Sequence, residues 1–218
     1  MIGGNTRPAT VLLADDHSLV IEGLRRVLEP EFDVVGAVTD GLKLVYCAKM
    51  FKPDVIVVDV SMPLLNGIEA TRQIREFDRN AKIVFISMHP DVVYVARAFQ
   101  AGGSAYVLKS SAGTDILTAL REVLQGRTYL TPFLNIKALA AQLEQHRPVK
   151  RAADSLTPRL RQVLQLTAEG RSTKEIAEIL RISPRTVEFH RYRLMELLGL
   201  HSTVELAQYA IKHHIVSV

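Results

Sequence analysis

Over the first 127 residues, short runs of Val, Ile and Leu alternate with stretches in which apolar residues recur at helical spacing. Thr10–Ala14, Asp33–Val38, residues 55–58, residues 82–86 and Ala105–Leu108 are too short for ordinary helices and predict five strands. Between them, Ser18–Leu28 places Leu19, Leu24, Val27 and Leu28 on one helical face, and residues 92–101 form a second amphipathic helix ended by Gly102-Gly103. Strict alternation of this kind predicts a doubly wound α/β fold, a five-stranded parallel sheet with helices on both faces.

The pattern then changes. Residues 131–145 predict a connecting helix, and residues 146–155, polar, basic and containing Pro148, predict a linker. From Leu156 onward the periodicity is wholly helical, with segments 158–169, 174–180, Pro184–Leu198 and 203–213. The expected organisation is an α/β domain over residues 8–127, a connection over 128–154, and a small all-α domain over 155–218.

Charge adds to this division. The net charge of +4 separates into −1 for residues 1–127 (14 Lys/Arg against 15 Asp/Glu), +2 for 128–154 and +3 for 155–218, so the positive excess lies where a polyanion partner is permitted. One cysteine, Cys47, excludes an internal disulfide and a CxxC-type zinc site, and its neighbours Leu44, Val45 and Ala48 place it on a packed helix face. The first 14 residues lack a signal-peptide core, and no apolar run approaches the roughly 18 to 20 residues that cross a bilayer. A cytoplasmic, non-membrane protein is expected.

In parallel sheets, ligands sit beyond the carboxyl ends of the strands. Asp15, Asp16, Asp59, Ser87 and Lys109 all close predicted strands. A lone Asp at a strand end is usually a turn or helix cap. Here, however, several strand ends bring complementary chemistry to one edge. Carboxylates from two strands suit a hard cation such as Mg²⁺, and one of them can attack a phosphoryl donor to give an aspartyl phosphate.

These residues carry a resemblance. Asp15-Asp16-His17, Asp59-Val60-Ser61-Met62-Pro63 with Asn66-Gly67, Ser87, and Tyr106 three residues before Lys109 resemble the receiver domain of two-component response regulators, a flavodoxin-like fold. The resemblance implies Asp59 as phosphoacceptor and Mg²⁺ held by Asp15, Asp16, Asp59 and the Ser61 backbone carbonyl. It also implies Ser87 and Lys109 as partners of the phosphoryl oxygens, and Tyr106 as a switch residue that swings inward. Two departures stand out: Ser110 follows Lys109 where many receivers have proline, and Met88 follows Ser87 where a small residue is common, which would narrow access to Asp59. His17 is expected to serve in local hydrogen bonding.

In the helical third, Ser172-Thr173-Lys174-Glu175 has capping-box spacing and Ser183-Pro184 supplies a cap with proline at the first helical position, which together predict a helix-turn-helix. On the second helix Val187, Leu194 and Leu198 turn inward with His190 beside them, whereas Arg185, Glu188, Phe189 and Tyr192 face outward, flanked by Arg191 and Arg193. Leu156-Thr157-Pro158-Arg159, Gly170-Arg171-Ser172, Lys174-Glu175-Ile176-Ala177, Ile182-Ser183, Thr186-Val187, His190 and Leu198-Gly199 resemble the LuxR-type DNA-binding domain, so the whole chain resembles a NarL/FixJ-subfamily response regulator.

That resemblance implies double-stranded DNA as partner of Lys174, Arg185, Thr186, Glu188, Phe189, Arg191, Tyr192 and Arg193. It implies a sensor histidine kinase as phosphodonor, RNA polymerase as a further partner, and a homodimer through Val204, Ala207 and Ile211. Leu160 departs from the glutamate usual in the family and cannot complete the capping box that Thr157 begins. Glu188 replaces an often basic residue and would accept from a cytosine amino group. The function expected is phosphorylation-controlled transcriptional regulation, not an enzyme. The rivals are a phosphorylation-independent regulator and an aspartate-nucleophile phosphohydrolase, the latter weakened by Ser61 where such hydrolases place a second acid.

Overall fold

In the computed structural model, residues 7–132, 134 and 156–216 are described. They belong to two compact units, residues 1–143 and 144–218.

The first unit runs β1 (Thr10–Ala14), α1 (Ser18–Leu28), β2 (Asp33–Val38), α2 (Gly41–Phe51), β3 (Val55–Asp59), α3 (Gly67–Phe77), β4 (Ile83–Ser87), α4 (Val92–Gln100), β5 (Ala105–Leu108), a 3₁₀ turn at Lys109–Ser111, α5 (Ala112–Leu124) and β6 (Tyr129–Leu130). Its sheet is ordered β2-β1-β3-β4-β5-β6 and every pairing is parallel. The expected five strands are therefore six. Tyr129-Leu130, placed by sequence in the connection, pairs with Ala105 and Tyr106. Two residues carry no period-2 signal, which is why the strand was invisible.

Successive strand residues face opposite sides, and both sides are apolar, as a sheet covered on both faces requires. Leu12, Ile56, Val58, Ile83, Phe85 and Leu108 pack with α2, α3 and α4, whereas Val11, Leu13, Val57, Val84, Ile86 and Val107 pack with α1 and α5. Leu24 and Leu28 of α1 are buried as expected, but Leu19 is exposed: it lies well round the helix from their stripe. Cys47 is half-buried and packs on the α2 side.

The second unit is four helices: α6 (Pro158–Ala168), α7 (Thr173–Leu180), α8 (Pro184–Leu198) and α9 (Thr203–Lys212). Each begins at a hydroxyl cap. Thr157, Ser172, Ser183 and Ser202 accept from the backbone of Leu160, Glu175, Thr186 and Glu205 respectively. At α7 the reciprocal half of the box is also made, and at α6, where Leu160 has no acceptor, it is not. The connecting helix expected over 131–145 falls almost wholly outside the described residues. Within them, Thr131 is not helical, since its backbone N–H continues the β6 pairing to the Tyr106 carbonyl.

Candidate functional site

Strand order reverses between β1 and β3, and the helices that follow these strands cover opposite faces of the sheet. A crevice opens there at the carboxyl ends. It receives Asp15 and Asp16 from β1 and Asp59 from β3. The sequence fixes the wall beside Asp59 tightly: Asn66 caps α3 through the Glu69 N–H, and a Cβ on Gly67 would stand 2.0 Å from the Asp59 carbonyl oxygen. Only glycine lets the helix start so close to the strand end.

Asp15 is fully buried and Asp59 is 3% exposed. Lys109 reaches in from the turn that follows β5, its ammonium 2.9 Å from Asp59 Oδ2 and 2.7 Å from Asp15 Oδ2. Asp59 accepts a well-aligned hydrogen bond from it, whereas the closer contact to Asp15 Oδ2 is poorly aligned and leaves that oxygen without a directed donor. Burial raises the Asp59 pKa to about 6, with the Asp15 charge adding to the rise and Lys109 opposing it. Burial works against the Lys109 charge too, but Asp59 and Asp15 outweigh it and its pKa is raised.

Ligand atoms of Asp15, Asp16, His17 and Asp59 lie within 4.8 Å of one another. The carboxylates form a hard-oxygen set, and Asp15 Oδ2 is a buried acceptor without a directed donor, so the cluster fits a divalent cation. His17 serves locally, as expected: its backbone N–H donates to Asp15 Oδ1 at 2.9 Å, and its Nδ1 is 2.9 Å from Asp16 Oδ1.

Ser87 is fully buried at the end of β4, and its hydroxyl accepts the His89 N–H at 3.0 Å. Tyr106 is already inward, fully buried, with its hydroxyl donating to the His89 carbonyl at 2.7 Å. Burial raises the phenol's pKa, against a hydrogen bond with Ser87. His89, which the sequence reading missed, thus joins both residues through its backbone. Its ring stacks on Tyr94 at 4.3 Å and lies 3.4 Å from the Ser61 hydroxyl. The sequence signal available was only its position, two residues past Ser87. Met88 is exposed.

In the helical unit, Val187 and Leu194 are fully buried, and His190 and Leu198 are half-buried. Phe189 and Tyr192 are 64% and 65% exposed, and Arg185, Glu188, Arg193 and Lys174 are exposed with them. Thr186 is half-buried, its hydroxyl 2.8 Å from that of Ser183. Arg191 differs from the others. Its guanidinium donates to Thr167, to Thr173 and to the Arg171 carbonyl at 3.2, 2.7 and 3.0 Å, tying α8 to α6 and to the start of α7. Glu188 accepts from Thr173 and pairs with Arg191. Arg193 pairs with Glu196. On α9, Leu206 and Ala210 are buried, whereas Val204 and Ile211 are exposed and Ala207 is half-buried.

Among the described residues no helix is long and apolar enough to cross a membrane. Residues 11–121 match the response regulator receiver domain family, and residues 154–210 match the LuxR family of bacterial regulatory proteins. The chain is 35% identical over 205 residues to the response regulator UvrY of Escherichia coli K12, covering 93% of this chain and 94% of UvrY. It is 36% identical over 209 residues to the transcriptional regulatory protein MctR of Rhizobium johnstonii, covering 95% of each. Among solved structures, the RcsB response regulator of Salmonella typhimurium matches with a TM-score of 0.62 at 26% identity, over 95% of this chain and 99% of RcsB. A structure of RcsB in complex with DNA matches with a TM-score of 0.58, again at 26% identity, over 93% and 98% of the two chains. Two domain matches in the order that the fold displays, and relatives spanning nearly the whole length, establish that the chain belongs to the NarL/FixJ two-component response regulators, transcriptional regulators that join a receiver domain to a LuxR-type DNA-binding domain.

Proposed function

We propose that Asp59 accepts a phosphoryl group from a sensor histidine kinase in the cytoplasm, and that the phosphorylated chain binds double-stranded DNA as a homodimer. The observation that carries this reading is the buried Asp59 carboxylate held 2.9 Å from the Lys109 ammonium, beside the Asp15 and Asp16 carboxylates. A carboxylate oxygen of Asp59 attacks phosphorus in line. The bond from phosphorus to the donor's imidazole nitrogen breaks, and that nitrogen keeps the electron pair.

Asp15, Asp16, Asp59 and the Ser61 carbonyl would hold Mg²⁺, which supplies positive charge to the transferring phosphoryl oxygens when bound. Lys109 neutralises another of those oxygens, and the Ser87 hydroxyl turns from the His89 N–H to donate to a third. Because Tyr106 and Ser87 meet through the His89 backbone, moving one disturbs the other.

On the DNA side, the outward face of α8, with Arg185, Phe189 and Tyr192, together with Lys174 of α7, is free of the helical core and suits a major groove. Val204, Ala207 and Ile211 form a second apolar stripe on α9, roughly 110° round the helix from the one buried in the unit's own core, and suit a self-contact. Two half-sites then join modest binders by avidity.

Intact mass after incubation with Mg²⁺ and acetyl phosphate tests the acceptor. One phosphoryl adduct on wild type and none on Asp59→Asn is expected. An adduct on the variant, or none on either protein, overturns the assignment.

A further inference from the structure

Resting on the phosphoacceptor reading above, we infer that Thr131 is the coupling residue through which the end of β5 governs the chain leading to the DNA-binding domain, with β6 acting as a strap. The sixth strand has no part in the phosphoryl chemistry, and nothing in the sequence pattern called for it. Its bonds nevertheless fall on the functional strand. The Tyr129 N–H donates to the Ser104 carbonyl at 3.2 Å and the Thr131 N–H to the Tyr106 carbonyl at 3.0 Å. The Thr131 hydroxyl then accepts the Leu108 N–H at 3.1 Å.

Thr131 thus grips β5 on both sides of Val107, at the backbone of the switch tyrosine and at the backbone of the residue immediately before Lys109. A third bond, from the Leu134 N–H to the Thr131 carbonyl at 2.9 Å, turns the chain after the strap. Thr131 is 1% exposed, and Leu134 is buried in the same apolar cluster as Tyr106 and Leu108, with Leu130 packed against it. From there the chain leads on towards Leu156, where the helical unit is described again.

The geometry gives the coupling a route. A phosphoryl group on Asp59 competes for the ammonium that now bridges Asp59 and Asp15, and it draws on Ser87 beside Tyr106. Both demands fall on β5 and its end, at Tyr106 within the strand and at Lys109 just after it. A hydrogen-bonded strand transmits displacement along its ladder more faithfully than an apolar contact does, because the bonds tolerate little change in length or angle. Thr131 is where that displacement leaves the sheet. It also has the acceptor and donor to feel Leu108 and Tyr106 separately.

The test compares wild type, Thr131→Val and Thr131→Ser, each with Mg²⁺ and acetyl phosphate, beside unphosphorylated controls. Adduct is read by intact mass, and affinity is read on a duplex enriched from a random-sequence pool by phosphorylated wild type. Thr131→Val keeps the shape but removes the acceptor for Leu108. It is expected to take up phosphoryl like wild type yet lose roughly tenfold of the phosphorylation-dependent gain in affinity, with Thr131→Ser retaining the gain.

An undiminished gain in phosphorylated Thr131→Val overturns the coupling alone. No adduct on wild type overturns the phosphoacceptor reading and this one with it. Should Thr131→Val fail to fold, hydrogen exchange on wild type decides. The amides of Leu108 and Thr131 are expected to change protection together on phosphorylation, and unchanged protection at Thr131 overturns the proposal.

Discussion

The Lys109 ammonium lies 2.9 Å from Oδ2 of Asp59 in a pocket that almost excludes water, so each group's charge depends on the other. Asp15 Oδ2, 2.7 Å away, has the same ammonium as its neutraliser. Removing one partner of a buried ion pair leaves an uncompensated charge, a loss of about 3–5 kcal/mol. Lys109→Met is therefore expected to lower unfolding free energy by about that amount in urea titrations without Mg²⁺. Adding Mg²⁺ is expected to restore part of the loss, because a cation between the carboxylates replaces the missing charge. Equal stability of variant and wild type would mean that the carboxylates are not charged together.

Asp59 makes the fold pH-dependent in a defined direction. Its pKa is raised in the folded state from 3.8 to about 6, so between these values the folded chain binds more protons at this site than the unfolded chain does. The site's contribution to stability is then fully present below about pH 4 and is lost as pH rises through 6. A shift of about two units corresponds to about 3 kcal/mol. Asp59→Asn cannot titrate. It is expected to become more stable than wild type by about 2–3 kcal/mol as pH rises from 4 to 7, the difference of their denaturation curves cancelling the other titrating groups. A difference that stays flat with pH contradicts the buried-carboxylate account.

How far the sequence carried the fold depended on how many residues each signal spans. β1, β2, β5, α1 and α8 run over the bounds that hydrophobic pattern assigns, because four or more apolar positions or a clear cap define each. β6 has only Tyr129 and Leu130, and its evidence is hydrogen bonding, which periodicity does not encode. Of the site, the acids and Lys109 were legible because several strand ends of one parallel sheet bring complementary charges to a single edge, where any one Asp alone would have read as a cap. His89 was not, because its contribution to Ser87 and Tyr106 comes through main-chain N–H and C=O groups that every residue has.

Arg191 illustrates the same limit on α8, the helix proposed to face DNA. Helical spacing placed it on the flank of the face that carries Arg185, but its guanidinium is committed to Thr167, Thr173 and Arg171. The two arginines are therefore expected to separate in experiment. Arg185→Ala is expected to leave thermal stability unchanged and to reduce the salt slope of DNA affinity by about one counterion. Arg191→Ala is expected to lower the melting temperature, having removed three hydrogen bonds of about 1 kcal/mol or more each. A reversal of these two outcomes would relocate the phosphate contact to Arg191.

Glu188 also reads differently once its partners are seen. Free, it would be a base reader; engaged by Thr173 and Arg191, it holds the start of α7 against α8 while placing a negative charge on the exposed face. Glu188→Gln keeps an acceptor for Thr173 and removes the repulsion. It is expected to raise affinity for all duplexes alike without changing sequence preference. If preference at one base position relaxes instead, the carboxylate reads that base directly and the Thr173 bond yields to DNA.

α9 has two apolar faces with opposite fates. Leu206 and Ala210 are fully buried within the unit, whereas Val204 is 64% exposed and Ile211 lies on the open side with it. A helix needs only one buried stripe to be held in a small domain, so the second stripe is surplus to folding. Val204→Asp is expected to leave the melting temperature within about 2–4 °C, since surface substitutions change stability by less than about 0.5 kcal/mol, and to abolish the proposed dimerisation of the phosphorylated protein, read by sedimentation. Leu206→Ala is expected to do the reverse and destabilise the fold by about 2–5 kcal/mol through loss of a packed side chain. The pair separates assembly from folding: a Val204→Asp protein that still dimerises places the self-contact elsewhere, whatever its effect on DNA binding.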